Sequence, residues 1–190
     1  MPRRDLGFYA GEYYHLYNRG VDRQPVFFHE ENYLYFMRLL KQKAARTAIQ
    51  IIAYCLMPNH FHLLVLPEHD NAVAALLTGV CGSYAQALNG QRGRTGALFQ
   101  GRFRAVHVDR DAYLAQVARY IHMNPVAAGL VVKPQDWPYS DYRDIVEGGY
   151  GPSTDNGLLA GLFPGSNAYQ RFVEGKDDLQ LPGSLKLPGS

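Results

Sequence analysis

The sequence predicts an α+β fold: an antiparallel sheet with helices packed on one face, followed by a further helix. Two kinds of pattern predict it. Four short segments read as strands, either alternating or continuously apolar, and two longer segments between them repeat apolar residues at helical spacing. Their order is β-α-β-β-α-β and then helix, which is the split β-α-β, ferredoxin-like arrangement.

The elements follow in order. Tyr13 to Arg19 is rich in strand-forming residues and stops at Gly20. His29 to Arg46 carries Tyr33, Phe36, Met37 and Leu40 as an apolar stripe, with Lys41, Lys43 and Arg46 towards its end, as the helix dipole favours. Ile49 to Leu56 is an apolar strand that Pro58-Asn59 breaks, and His60 to Leu66 is its neighbour. Asn71 opens a second helical pattern through Leu76, Leu77, Val80, Tyr84 and Leu88, ending in the loop Asn89 to Arg94. Phe103 to Val108 is the fourth strand. Asp109 is placed to N-cap a third helix reaching about Met123. Pro125 disfavours helical geometry at Asn124, so the helix is expected to end there or one residue earlier.

Residues 1–143 therefore read as one domain, and 144–190 as a C-terminal extension ending in a flexible tail. That tail, Leu181 to Ser190, repeats Leu-Pro-Gly-Ser.

Hydrophobic residues make up 47% of the 190-residue chain, enough for a real core. Cys55 and Cys81 are far apart in apolar surroundings and read as reduced core thiols of a cytoplasmic protein. No charged-then-apolar leader and no long apolar run is seen, so neither secretion nor membrane contact is expected. The net charge of +2 conceals an asymmetry. Met1 to Arg143 holds 16 basic and 11 acidic residues, whereas the remainder holds 3 and 6. Asn71 to Val108 has no acid but carries Arg92, Arg94, Arg102 and Arg104. Arginine outnumbers lysine 14 to 5, and guanidinium groups match phosphate geometry and stack on bases. A nucleic-acid partner and a solvated loop are both consistent with that pattern.

The chemistry concentrates in two places. In His60-Phe61-His62 the two histidines share one face of a strand, and Phe61 faces the other way with Leu63 and Val65. Paired imidazoles on a rigid element suit a metal if a third ligand arrives from elsewhere, although two histidines in a strand can also simply pack. In the third helix, at about 100° per residue, Tyr113, Gln116, Tyr120 and Asn124 form one narrow stripe. Leu114, Val117 and Ile121 form the apolar stripe beside it, expected to bury against the sheet. If the first stripe faces the histidines, the site holds two imidazoles, an amide oxygen and a phenol. A phenol with a pKa near 10 is a poor nucleophile unless its target is polarised, and a divalent metal on a phosphodiester does that.

Four motifs then carry a resemblance. They are Tyr14-His15-Leu16-Tyr17-Asn18-Arg19-Gly20, Met57-Pro58-Asn59-His60-Phe61-His62, Phe99-Gln100-Gly101-Arg102-Phe103 and Tyr120-Ile121-His122-Met123-Asn124-Pro125-Val126. Their order and spacing resemble the REP-associated tyrosine transposases of the HUH endonuclease superfamily, over about Tyr13 to Tyr142. The resemblance implies a metal site on His60 and His62, with Asn124 as third ligand and Tyr120 as nucleophile. Gln116 competes for the ligand role, and Tyr113 for that of nucleophile. It further implies Mg²⁺ or Mn²⁺, single-stranded or hairpin DNA cut at repetitive extragenic palindromes, and a covalent 5′-phosphotyrosine with a free 3′-OH. Arg19, Arg92, Arg94, Arg102 and Arg104 would then line the path of the DNA backbone, on a nucleoid-bound cytoplasmic protein. A homodimer stays open, since relatives include both dimers and monomers. Two alternatives remain beside this reading. One is a metal-dependent hydrolase drawing on Glu68 or Asp70, and the other is a non-catalytic single-strand-binding module.

Overall fold

A computed structural model describes residues 7–108, 111–148 and 157–175. Four strands, β1 (Tyr13–Arg19), β2 (Ile49–Met57), β3 (His60–Pro67) and β4 (Arg104–Val108), form one antiparallel sheet in the order β2-β3-β1-β4. Helix α1 (Glu30–Thr47) connects β1 to β2, and α2 (Ala72–Arg92) connects β3 to β4. This is the ferredoxin-like arrangement that the element order predicts. Helix α3 (Asp111–Ala127) follows, and then three short helices, α4 (Tyr142–Val146), α5 (Gly157–Leu162) and α6 (Ser166–Val173).

The sheet separates two cores, because alternate side chains leave it on opposite faces. Phe61, Leu63 and Val65 of β3 join Tyr14 and Leu16 of β1 beneath α1 and α2, where Phe36, Leu40, Leu76, Val80 and Tyr84 are fully buried. The other face carries Ala53, Cys55, Met57 and Leu64, covered by Leu114, Val117, Ala118 and Ile121 of α3. A register shift between Ile51 and Ala53 inserts one extra residue into β2. Ile51 therefore faces the α1–α2 core while Ala53, Cys55 and Met57 face α3. Beyond β2, the segment 137–141 covers the sheet edge: Leu56 donates to the Tyr139 carbonyl, and its own carbonyl accepts from Trp137 Nε1.

Two helices end later than their local signals suggest. Helix α2 runs through Asn89-Gly90 and stops at Gly93, whose φ of 59° supplies the left-handed cap. Gln91 stays in the helix, where its Oε1 accepts from Asn32 Nδ2 of α1. Helix α3 continues past Pro125 to Ala127. The proline removes the N–H that would bond the Ile121 carbonyl, and the helix is held on either side of that gap: Asn124 Nδ2 donates to the Tyr120 carbonyl at 2.8 Å, and Ala128 N donates to the Asn124 carbonyl at 2.9 Å. The expected N-cap, Asp109, and the Leu-Pro-Gly-Ser tail lie outside the described residues.

Candidate active site

The hairpin turn Pro58-Asn59 starts β3 at His60, so His60 and His62 stand at one end of the sheet on the α3 face. Antiparallel pairing sets Tyr17 beside His62 and Arg19 beside His60. The two imidazoles meet edge to face with centroids 5.0 Å apart. Helix α3 crosses above them. The Tyr120 ring stands edge-on to His62 at 5.4 Å and to His15 at 5.9 Å. One turn on, the Asn124 side chain lies beside both the His60 ring and the Tyr120 phenol. Of the helical stripe Tyr113, Gln116, Tyr120 and Asn124, the structure brings Tyr120 and Asn124 to the histidines.

Each histidine has a polar neighbour on its Nδ1 side. His62 Nδ1 lies 2.9 Å from His15 Nε2, and His60 Nδ1 lies 2.6 Å from Asn59 Oδ1. Burial lowers the pKa of all three imidazoles. His15 falls to about 4, His62 falls well below 6.5 with further depression from His15 and His60, and His60 falls despite the opposing hydrogen bond from Asn124. At neutral pH they are uncharged, the form in which imidazole binds metal. Burial also raises the Tyr120 phenol above 10; the Asn124 hydrogen bond works against this, and nearby Tyr17 adds to it.

His60 and His62 border a cleft of about 650 Å³, lined also by Tyr17, Asn18, Arg19, Arg23, Asn59, Gln100, Arg102 and Arg104. Four guanidinium groups and no carboxylate among its lining residues make it a site for anions. Arg19 is braced across the cleft by Gln100, whose Oε1 accepts from Arg19 Nε at 2.6 Å. The donors available to a metal are two imidazoles and one amide oxygen. Among the described residues no group of three His, Cys, Asp or Glu side chains could hold an ion. Such a set fits a divalent cation that takes the rest of its shell from a substrate phosphate.

The family model described as Transposase IS200 like matches residues 9–124. A REP-associated tyrosine transposase of Haemophilus influenzae is 32% identical over 121 residues, covering 58% of this chain and 69% of that protein. The chain is a member of the REP-associated tyrosine transposases. A second such transposase, from Escherichia coli, is 27% identical over 114 residues, 59% of this chain and 66% of its own. A solved REP-associated tyrosine transposase bound to a REP hairpin shares the fold, with a TM-score of 0.65 and 21% identity over 80% of this chain and 90% of that one. The family is one of DNA-processing enzymes.

Within this transposase, Arg19, Arg102 and Arg104 are among the residues that line the cleft. Arg92 and Arg94 are not among its lining residues. Arg92 lies over the Phe28 ring at 3.8 Å from the centroid, at the end of α2. Tyr113 and Gln116 are half-buried further up α3. Glu68 and Asp70, the carboxylates a hydrolase would draw on, lie beyond the far end of β3 from His60. Asp70 Oδ1 accepts from Ala10 N, and Glu68 Oε1 from Gln50 Nε2.

The structure adds residues that were not singled out. His15, Tyr17 and Asn59 belong to the quoted motifs, and alternation along β1 would have put His15 and Tyr17 on the histidine face. Arg23 enters through the loop after β1, which no periodicity announces. His122 belongs to the last of the quoted motifs. It is fully buried, with Nδ1 2.7 Å from the Tyr169 hydroxyl of α6 and Nε2 3.0 Å from Asp141 Oδ1. The same Asp141 oxygen accepts from the Tyr54 amide of β2. This cluster pins α3 to the sheet and to α6, two residues from Tyr120.

Proposed function

We propose that this transposase cleaves and rejoins single-stranded or hairpin DNA through a covalent bond to Tyr120. The observation that carries the reading is the convergence of Tyr120 and Asn124, from one helix, on His60 and His62, from one strand, beside an arginine-lined cleft. The hairpin in the related solved complex supports the substrate class.

In this reading Arg19, Arg23, Arg102 and Arg104 hold the DNA backbone and bring one phosphodiester to Tyr120. His60, His62 and Asn124 would hold Mg²⁺ or Mn²⁺. When bound, that ion draws charge from the phosphoryl group and orients it for in-line attack. The Tyr120 oxygen forms a bond to phosphorus while the bond to the 3′ oxygen breaks, and in the balance the phenolic proton passes to that leaving oxygen. The products are a 5′-phosphotyrosine and a free 3′-OH. Attack by another 3′-OH reverses the exchange and restores the phenol. One phosphodiester is traded for another, so no nucleotide cofactor is needed.

All four groups meet within one chain, so this reading needs no exchange of helices between copies. It assigns catalysis to residues 1–143 and treats 144–190 as an extension, with α6 bracing α3. It also places the protein in the bacterial cytoplasm, on the nucleoid while DNA is bound. Among the described residues no helix is long and apolar enough to cross a membrane.

The test is incubation with a hairpin oligonucleotide and Mg²⁺ or Mn²⁺, followed by a denaturing gel. A protein–DNA adduct that disappears in Tyr120→Phe and persists in Tyr113→Phe is expected. Cut DNA without adduct would instead support the hydrolase, and a mobility shift alone would support a binding module.

A further inference from the structure

We propose that Asn59 is a positioning residue that fixes the tautomer of His60, so that Nε2 meets Asn124 as a bare lone pair and the two together form a cation-seeking pair. The proposal rests on the metal-holding reading of His60 and Asn124 and adds to it the residue that sets their protonation pattern.

The argument begins in the loop after β1. Asp22 and Arg23 both adopt left-handed backbone, with φ of 52° and 58°, a conformation that non-glycine residues keep only where surrounding contacts impose it. Those contacts are on the hairpin turn. Gly20 N donates to the Asn59 carbonyl at 2.8 Å, and Val26 N and Phe27 N both donate to the Pro58 carbonyl, at 2.8 and 3.0 Å. The loop passes so close to itself that a Cβ on Gly20 would lie 2.1 Å from the Gln24 carbonyl oxygen. In this geometry the Arg23 carbonyl accepts from Asn59 Nδ2 at 3.1 Å.

That bond decides which way the Asn59 amide faces. Its nitrogen is committed to a carbonyl, so the atom 2.6 Å from His60 Nδ1 is the oxygen, which can only accept. His60 Nδ1 must therefore carry the proton. A neutral imidazole has one N–H, which leaves Nε2 with a lone pair.

The same logic applies to Asn124. Its Nδ2 donates to the Tyr120 carbonyl at 2.8 Å, so its oxygen is the group left for His60. His60 is thus flanked by two amide oxygens and can donate to only one. The Asn59 contact, short and anchored from behind, keeps the proton. Nε2 and the Asn124 oxygen are then two acceptors side by side, an arrangement that a cation relieves and that no hydrogen bond between the two can. Outer partners of ligating histidines commonly act in this way, fixing tautomer and ring orientation.

The test uses the full-length chain without metal or DNA, with ¹⁵N-labelled histidine. Long-range ¹H–¹⁵N spectra are expected to show His60 protonated at Nδ1 and bare at Nε2. In Asn59→Ala that signature is lost, and Mn²⁺ affinity, read by electron paramagnetic resonance, falls about 10- to 100-fold. Asn59→Asp keeps an acceptor oxygen and restores both. A His60 protonated at Nε2 in the wild-type chain, or a spectrum unchanged in Asn59→Ala, overturns the proposal. The metal-holding reading is tested apart from it: Mn²⁺ binding that survives His60→Ala and His62→Ala overturns that reading, while the tautomer spectra still decide the role of Asn59.

Discussion

Asn124 reaches back one helical turn to the Tyr120 carbonyl, donating from Nδ2 at 2.8 Å, and its side chain lies beside both the Tyr120 phenol and the His60 ring. One residue thus ties the proposed nucleophile to the proposed metal ligands. Replacing Asn124 by Ala is expected to weaken Mn²⁺ binding by at least about tenfold and to slow adduct formation. Asn124→Asp should bind the ion more tightly, since it adds a charge to the same geometry. Gln116→Ala should leave binding near wild type. A larger loss of Mn²⁺ affinity in Gln116→Ala than in Asn124→Ala, by titration, would reassign the third ligand.

Acid should destabilise this fold before it reaches the carboxylates. His15 has a pKa of about 4 when folded and 6.5 when unfolded, because burial disfavours its charged form. Between those values the unfolded chain binds the extra proton, so stability is full above pH 6.5 and falls as the pH drops towards 4. His62 and His60, also lowered, act in the same direction. Thermal melts from pH 7.5 to 4 should show this decline, and it should be shallower in His15→Asn. Equal slopes in the two proteins would remove His15 from the account.

The buried pair His122–Asp141 predicts a stability effect that spreads to activity. Asp141→Ala removes the partner of His122 and of the Tyr54 amide at once. Leaving a buried donor unsatisfied in this way costs about 1–3 kcal/mol for each group. Urea denaturation should register that loss. Where the variant still folds at low temperature, adduct formation should drop, because α3 loses its tie to β2 two residues from Tyr120. The opposite result, full activity with unchanged stability, would show that apolar packing alone seats the helix.

Arg102 and Arg104 should contribute charge rather than sequence reading. Alanine at either is expected to weaken hairpin binding similarly for different sequences and to lower the slope of log K against log salt by about 1. Fluorescence anisotropy across a salt series measures this. A loss confined to one DNA sequence would indicate direct base contact instead.

Much of the fold was legible because its signals are local. The strand boundaries of β1 and β3 follow from a stop at Gly20 and a break at Pro58-Asn59, and period-two alternation alone put His60 and His62 on one face and Phe61 on the other. The ends of α2 and α3 were not legible, for opposite reasons. Asn89-Gly90 looks like a stop, yet Gln91 is held in the helix by Asn32 of a different element. Pro125 looks like a stop, yet the side chain of Asn124 supplies a bond beside the one the proline removes.

The candidate site divides along the same line. The sequence by itself determined which side chains share a strand face or a helix stripe, since pleat and pitch are properties of the backbone. It also determined that positive charge gathers between Asn71 and Val108. Only the tertiary structure decided that Tyr120 and Asn124 meet His60 and His62, that Arg23 joins the cleft in which Arg92 has no place, and that His15, Asn59 and Asp141 stand behind the working groups. Those relations join residues between 1 and more than 80 positions apart in the chain. They exist because two cores close on the two faces of one sheet, and no local periodicity carries that information.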